Sequence, residues 1–99
     1  EEFTCKGNFM NEIINDKLGS RFVLDVNGQE VYVLYAEDKL TLDLYSTYTP
    51  AKLRAQGLAE KVVLAAFKYA REKKLKVIPS CWYVRKFLEK HKEFKVLLN

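Results

Sequence analysis

Cysteine, glycine, proline and histidine are all scarce in this 99-residue chain, which holds 2 Cys, 4 Gly, 2 Pro and 1 His. So few Gly and Pro exclude a collagen-like repeat or a low-complexity linker. A hydrophobic share of 48% with 13% aromatics excludes a disordered tail protein. Cys5 and Cys81 are too few for a disulfide framework, and nothing in the sequence motivates a bridge between them. That cysteine usage points to a reducing, intracellular compartment, cytoplasmic or nuclear. One His and no Cys/His/Asp cluster at ligand spacing argue against a zinc site. A nucleophilic triad would have only His91 as its base, which makes that chemistry thin. No apolar run exceeds six residues, as in Val62 to Phe67, whereas a membrane span needs ~18. The start, Glu1-Glu2-Phe3, shows no secretory signal, although the absence of an initiator Met leaves open what preceded it.

What is abundant is charge, unevenly spread. The formal net charge is +4. Residues 1–49 carry 4 Lys/Arg and 9 Asp/Glu, whereas residues 50–99 carry 13 Lys/Arg and 4 Asp/Glu. A half with a net charge of +9 suits a polyanion: nucleic acid, an acidic membrane surface or a phosphorylated small molecule. The same lysines would equally serve to solvate two exposed helix faces.

The length allows one domain. Residues 1–9 carry no periodicity and read as a tail, which leaves 10–99 as the domain. Ile13-Ile14, Phe22 to Val26 and Val31 to Tyr35 read as strands, the last two joined by the hairpin signal Asn27-Gly28. Leu40, Leu42 and Leu44 alternate with Thr41 and Asp43, the period of a strand with one buried face. After Pro50 the period changes. Ala59, Val62, Val63, Ala66, Phe67 and Ala70 form one helical stripe. Val77-Ile78 is a short strand ended by Pro79. A second helix follows, with Ser80 as its expected N-cap and Val84, Phe87, Leu88 and His91 on one face. The order β-β-β-β-α-β-α makes the class α+β, with the last strand parallel to the one before the crossover helix.

The informative stretch is the strand-to-helix junction from Thr47 to Ala59. Small residues and cations lie where a strand ends and a helix opens. Backbone N–H groups at a helix N-terminus lack intrahelical partners, and a small-residue turn lets phosphate oxygens reach them. Gly57 clears space at that point, and Lys52 and Arg54 supply countercharge. An ordinary β-to-α turn would look the same, so physics alone leaves both readings open.

Arg54-Ala55-Gln56-Gly57-Leu58-Ala59 resembles the Gln/Arg-x-x-Gly-x-Gly/Ala signature of the GNAT superfamily, the acyl-CoA-dependent N-acyltransferases. The wider stretch from Asp43-Leu44 to Ala59, the helix to Ala70, and Pro79-Ser80-Cys81-Trp82-Tyr83-Val84 resemble its minimal single-domain members. The likeness runs from about Ile13 to Leu98. It implies a mixed, mostly antiparallel sheet with a V-shaped splay between its last two strands, and a site there for acetyl-CoA or CoA. By this resemblance Tyr45, Ser46 and Thr47 offer backbone to the pantetheine arm. Ala55, Gln56, Gly57, Leu58 and Ala59 hold the pyrophosphate, with Lys52, Arg54 and Lys61 as nearby cations. The other lysines, Lys90 among them, are then dispensable. Ala55 replaces a Gly found in several relatives, and it fits if its φ is negative. Many relatives carry His where Ser46 stands, so no base is supplied there.

Two catalytic candidates follow. Cys81, opening the final helix, would lie near the thioester as a nucleophile or acyl sensor, or else is a small core residue. Tyr83 would protonate the departing thiolate, or pack. Asp43 reads as a solvated strand residue or a base, and Trp82 as a core or cleft-wall aromatic. The expected activity is transfer of an acetyl group from CoA to an amine of a protein or small molecule by a monomer. The alternative is a CoA-binding module of the same fold with little catalysis. A nucleic-acid binder would interleave aromatics with Lys/Arg on a sheet face. Tyr32 and Tyr35 fall in the acidic half, which counts against nucleic acid, and no membrane partner is expected either.

Overall fold

The computed structural model describes residues 13–99; the tail and Cys5 lie outside them. Five strands form one sheet in chain order: β1 (Ile13–Asp16), β2 (Arg21–Val26), β3 (Gln29–Glu37), β4 (Thr41–Tyr48) and β5 (Lys76–Pro79). The first four are antiparallel. β5 returns parallel to β4 after the crossover helix α1 (Leu58–Lys73), and α2 (Trp82–Lys90) closes the layer. The fold is therefore the α+β arrangement that the pattern of the sequence implies.

Local chemistry explains the connections. Asn27 and Gly28 both take positive φ, at 54° and 83°, as a tight two-residue hairpin demands. The Asp25 carboxylate accepts the Gly28 N–H at 2.8 Å and locks the turn. Alternation puts Phe22, Leu24, Val31, Val33, Leu42 and Leu44 on the face that meets the helices. α1 answers with Val62, Val63, Ala66, Phe67 and Ala70, all without solvent exposure. Phe67 stacks on Phe87 of α2 with ring centroids 5.3 Å apart, and Phe94 in the 3-10 segment after α2 completes the cluster.

One irregularity positions the site. The β3–β4 register steps from Leu34↔Ser46 to Tyr35↔Leu44, so Tyr45 is an extra residue, a β-bulge. Pairing of β4 with β5 ends at the same place, Leu44↔Pro79, while β4 runs on to Tyr48. The Cys81 N–H reaches back to the Leu44 carbonyl at 3.0 Å, and the chain then turns away as α2. The last two strands splay from that point.

Candidate functional site

A cleft of about 650 Å³ fills the splay. Thr47, Tyr48 and Thr49 form its β4 side, and Cys81, Trp82 and Tyr83 its α2 side. Its floor is the junction, with Arg54, Ala55, Gly57, Leu58 and Ala59. Glu60 and Lys90 complete the wall.

The junction is more structured than a loop. Pro50 is followed by a 3-10 turn over Ala51–Leu53, closed by the Leu53 N–H on the Pro50 carbonyl at 2.9 Å. Arg54 Nε donates to the Thr49 carbonyl at 3.1 Å and braces the end of β4 against the turn. Gly57 then opens α1 with φ 73°. No side chain caps the helix, and its first internal bond is Lys61 N–H to Gly57 carbonyl at 3.3 Å. The N–H groups of the first turn therefore have neither intrahelical nor side-chain partners, and they carry the positive end of the helix dipole. A Cβ added at Gly57 would meet nothing within 4 Å, so the space above this turn is open.

Ala55 does not have the negative φ that the sequence reading required. Its φ is 67°, in the left-handed region where an L side chain is strained. Two left-handed residues within three positions, Ala55 and Gly57, link the 3-10 turn to the start of α1.

The α2 side also differs from expectation. Ser80 is not the N-cap; Cys81 is, and it makes no side-chain capping bond. The Ser80 hydroxyl donates to Asp43 at 2.6 Å instead, so that carboxylate is committed to holding the end of β5. Cys81 is half-buried, with its Sγ 3.4 Å from Thr47 Oγ1 across the splay. Tyr83 is half-buried, and burial, followed by the Glu60 carboxylate, pushes its phenol above the ordinary range. It stays protonated well past neutral pH. Trp82 is 62% exposed, a rim residue and not a core one.

Of the residues singled out in the sequence, the cleft brings together Thr47, Arg54, Ala55, Gly57, Leu58, Ala59, Cys81 and Tyr83. Tyr45, Ser46, Lys52, Gln56 and Lys61 do not line it. Gln56 instead donates its side-chain amide to the Lys52 carbonyl at 3.4 Å. Two wall residues carried no sequence signal. Lys90, rather than Lys52 or Lys61, is the lysine that lines the cleft. Glu60 is held by His91, its Oε2 2.5 Å from His91 Nε2. His91 lies just past the end of α2, stacked on Phe87 at 4.3 Å.

The model of the GCN5-related N-acetyl-transferase family matches residues 21–97. The chain belongs to that family. The family is one of acetyltransferases and generally uses acetyl-CoA. Protein NATD1 of Xenopus tropicalis is 30% identical over 80 residues, spanning 78% of this chain and 73% of that protein. Protein NATD1 of Danio rerio is 31% identical over the same shares. An NMR structure of a GCN5-like protein from Staphylococcus aureus superposes with a TM-score of 0.68 at 25% identity. It covers 90% of this chain and 88% of that one. The GNAT resemblance and the fold that it implies therefore hold. Among the described residues no helix is long and apolar enough to cross a membrane.

The site has the features that a CoA group requires. It offers an uncapped helix start, open space over Gly57, a strand edge released by the splay, and Arg54 and Lys90 as cations. The one carboxylate in the wall, Glu60, is engaged by His91.

Proposed function

We propose that this domain, residues 10–99, binds acetyl-CoA in the splay between β4 and β5 and transfers the acetyl group to an amine. The observation that carries this reading is the coincidence of the strand splay with an uncapped helix N-terminus in a chain of this family. The α1 first turn, with Gly57, Leu58 and Ala59, would hold the pyrophosphate, and Arg54 would add countercharge. The backbone of Tyr45, Ser46 and Thr47, freed from β5, would pair with the amide-bearing arm. When bound, acetyl-CoA supplies an activated thioester.

Tyr83 is the proton donor in this scheme. Its phenol is protonated at neutral pH, and burial keeps it so further into base, so it can give a proton to a leaving thiolate. Cys81 stands at the same end of the splay, oriented by Thr47, and would accept the acyl group or contact it. The acceptor amine must arrive neutral or lose its proton to water, because the wall's carboxylate is engaged by His91. That engagement also favours a second reading, a CoA-binding module with little catalysis.

The test is a titration with acetyl-CoA followed by release of free thiol in the presence of small amines and peptide amines. Binding with amine-dependent thiol release supports the enzyme. Binding with no release over background for any amine supports the module.

A further inference from the structure

A second hollow, of about 440 Å³, lies against the outer side of the cleft between the start of α1 and the face of α2. It shares Glu60, Trp82, Tyr83 and Lys90 with the cleft, so the two are continuous. Trp82, Lys86 and Lys90 fall at i, i+4 and i+8 and share one face of α2. That face thus presents an exposed indole and two ammonium groups, with Phe87 as the apolar floor. Neither lysine makes an ion pair among the described residues. The carboxylates nearby are Glu89 and Glu60, and Glu60 is engaged by a hydrogen-bonding contact with His91.

Such a hollow suits an anion attached to a flat apolar group, the ring on Trp82 and the anion at the two ammonium groups. We infer that it receives the adenosine 3′-phosphate end of CoA, with Lys86 and Lys90 pairing with the 3′-phosphate. This rests on the reading of the cleft as the CoA site and extends it. The pyrophosphate at the first turn of α1 would sit where cleft and hollow meet, and the nucleotide is the part of CoA that continues beyond it. The two lysines then discriminate CoA from forms lacking that phosphate. They belong to α2, outside the junction that carries the family signature.

The experiment compares three probes: CoA, dephospho-CoA and 4′-phosphopantetheine. Each is titrated calorimetrically, with the emission of Trp82, the only Trp in the chain, as a parallel signal. The unaltered protein should bind CoA about tenfold more tightly than dephospho-CoA, from two charge-assisted contacts at partly exposed sites. Lys86→Gln/Lys90→Gln, checked for an unchanged circular dichroism spectrum, should bind CoA and dephospho-CoA equally, and should lose no more affinity for 4′-phosphopantetheine than for dephospho-CoA. Equal affinity for CoA and dephospho-CoA in the unaltered protein would overturn the proposal and leave the cleft reading intact. Retention of the tenfold preference in the double variant would also overturn it. Failure of all three probes to bind would instead remove the cleft reading, and this proposal with it.

Discussion

Glu60 and His91 join the first turn of α1 to the end of α2 through a contact of 2.5 Å between Oε2 and Nε2. The His91 ring is held in place by stacking on Phe87, and Glu93 stands 3.8 Å from its Nδ1. The contact therefore fixes the relative placement of two walls of the cleft. The Glu60 carboxylate stands in the cleft wall beside the first turn of α1, where phosphate would approach.

Two variants separate those effects. Glu60→Gln keeps a hydrogen-bonding partner for His91 but removes the charge, so CoA affinity should rise about two- to fivefold at low salt. His91→Ala removes the stack and the partner together. It should cost about 1–2 kcal/mol of stability and weaken CoA binding by loosening α2 against the first turn of α1. Calorimetry and chemical denaturation read both.

The left-handed Ala55 predicts a stabilising substitution. An L residue at a φ of 67° carries strain that glycine lacks. Ala55→Gly should raise stability by about 0.5–1 kcal/mol, after subtracting glycine's greater unfolded-state entropy. The measurement is a shift of the denaturation midpoint at constant slope. A loss of stability would mean that Ala55 is not left-handed in solution.

Tyr83 and Cys81 separate chemistry from binding. Tyr83→Phe should lower kcat about 10²-fold, the usual scale for losing a general acid, while CoA affinity stays within about twofold. Because the phenol is pushed above its ordinary value, wild-type turnover should show no loss assignable to Tyr83 between neutral pH and about pH 10. Cys81→Ala with full activity would exclude an acyl-cysteine and leave direct transfer. A mass increase of one acetyl group on Cys81 would establish the covalent route.

Tyr69 predicts behaviour in base. Burial first, and then the hydrogen bond that it donates to Glu37 at 2.8 Å, raise its phenol to about 12. The folded state holds this proton more tightly than the unfolded chain, whose value is about 10. Its contribution is therefore complete below pH 10 and is lost as pH rises towards 12. Denaturation midpoints across that window should fall less steeply for Tyr69→Phe than for the unaltered protein.

Much of this architecture was legible because it is written in local pattern. Asn27-Gly28 fixes its hairpin by backbone conformation alone, and the stripe from Ala59 to Ala70 is the buried face of α1. The Arg54 to Ala59 stretch marked the strand-to-helix junction for the same reason. What escaped depends on long-range geometry. The bulge at Tyr45 is a mismatch between two strands and leaves no mark on either alone. Glu60 and Lys90 meet at the cleft only because α1 and α2 pack together. Ser80 looked like a cap, but it spends its hydroxyl on Asp43, a residue 37 positions away. The positive φ at Ala55 comes just after the 3-10 turn, and no residue there announces it.

The central claim is that CoA is held at the uncapped start of α1, and Gly57 tests it most directly. Its φ of 73° makes Gly57→Val strained, while the added side chain meets only open space. The variant should fold, with a stability loss of about 1–2 kcal/mol, because the left-handed conformation is disfavoured for an L residue. Calorimetric titration of acetyl-CoA should show binding to the unaltered protein and at least about a tenfold weaker association, or none, with folded Gly57→Val, because the branched side chain stands between ligand and backbone N–H groups. Equal affinity in the two folded proteins would contradict the account.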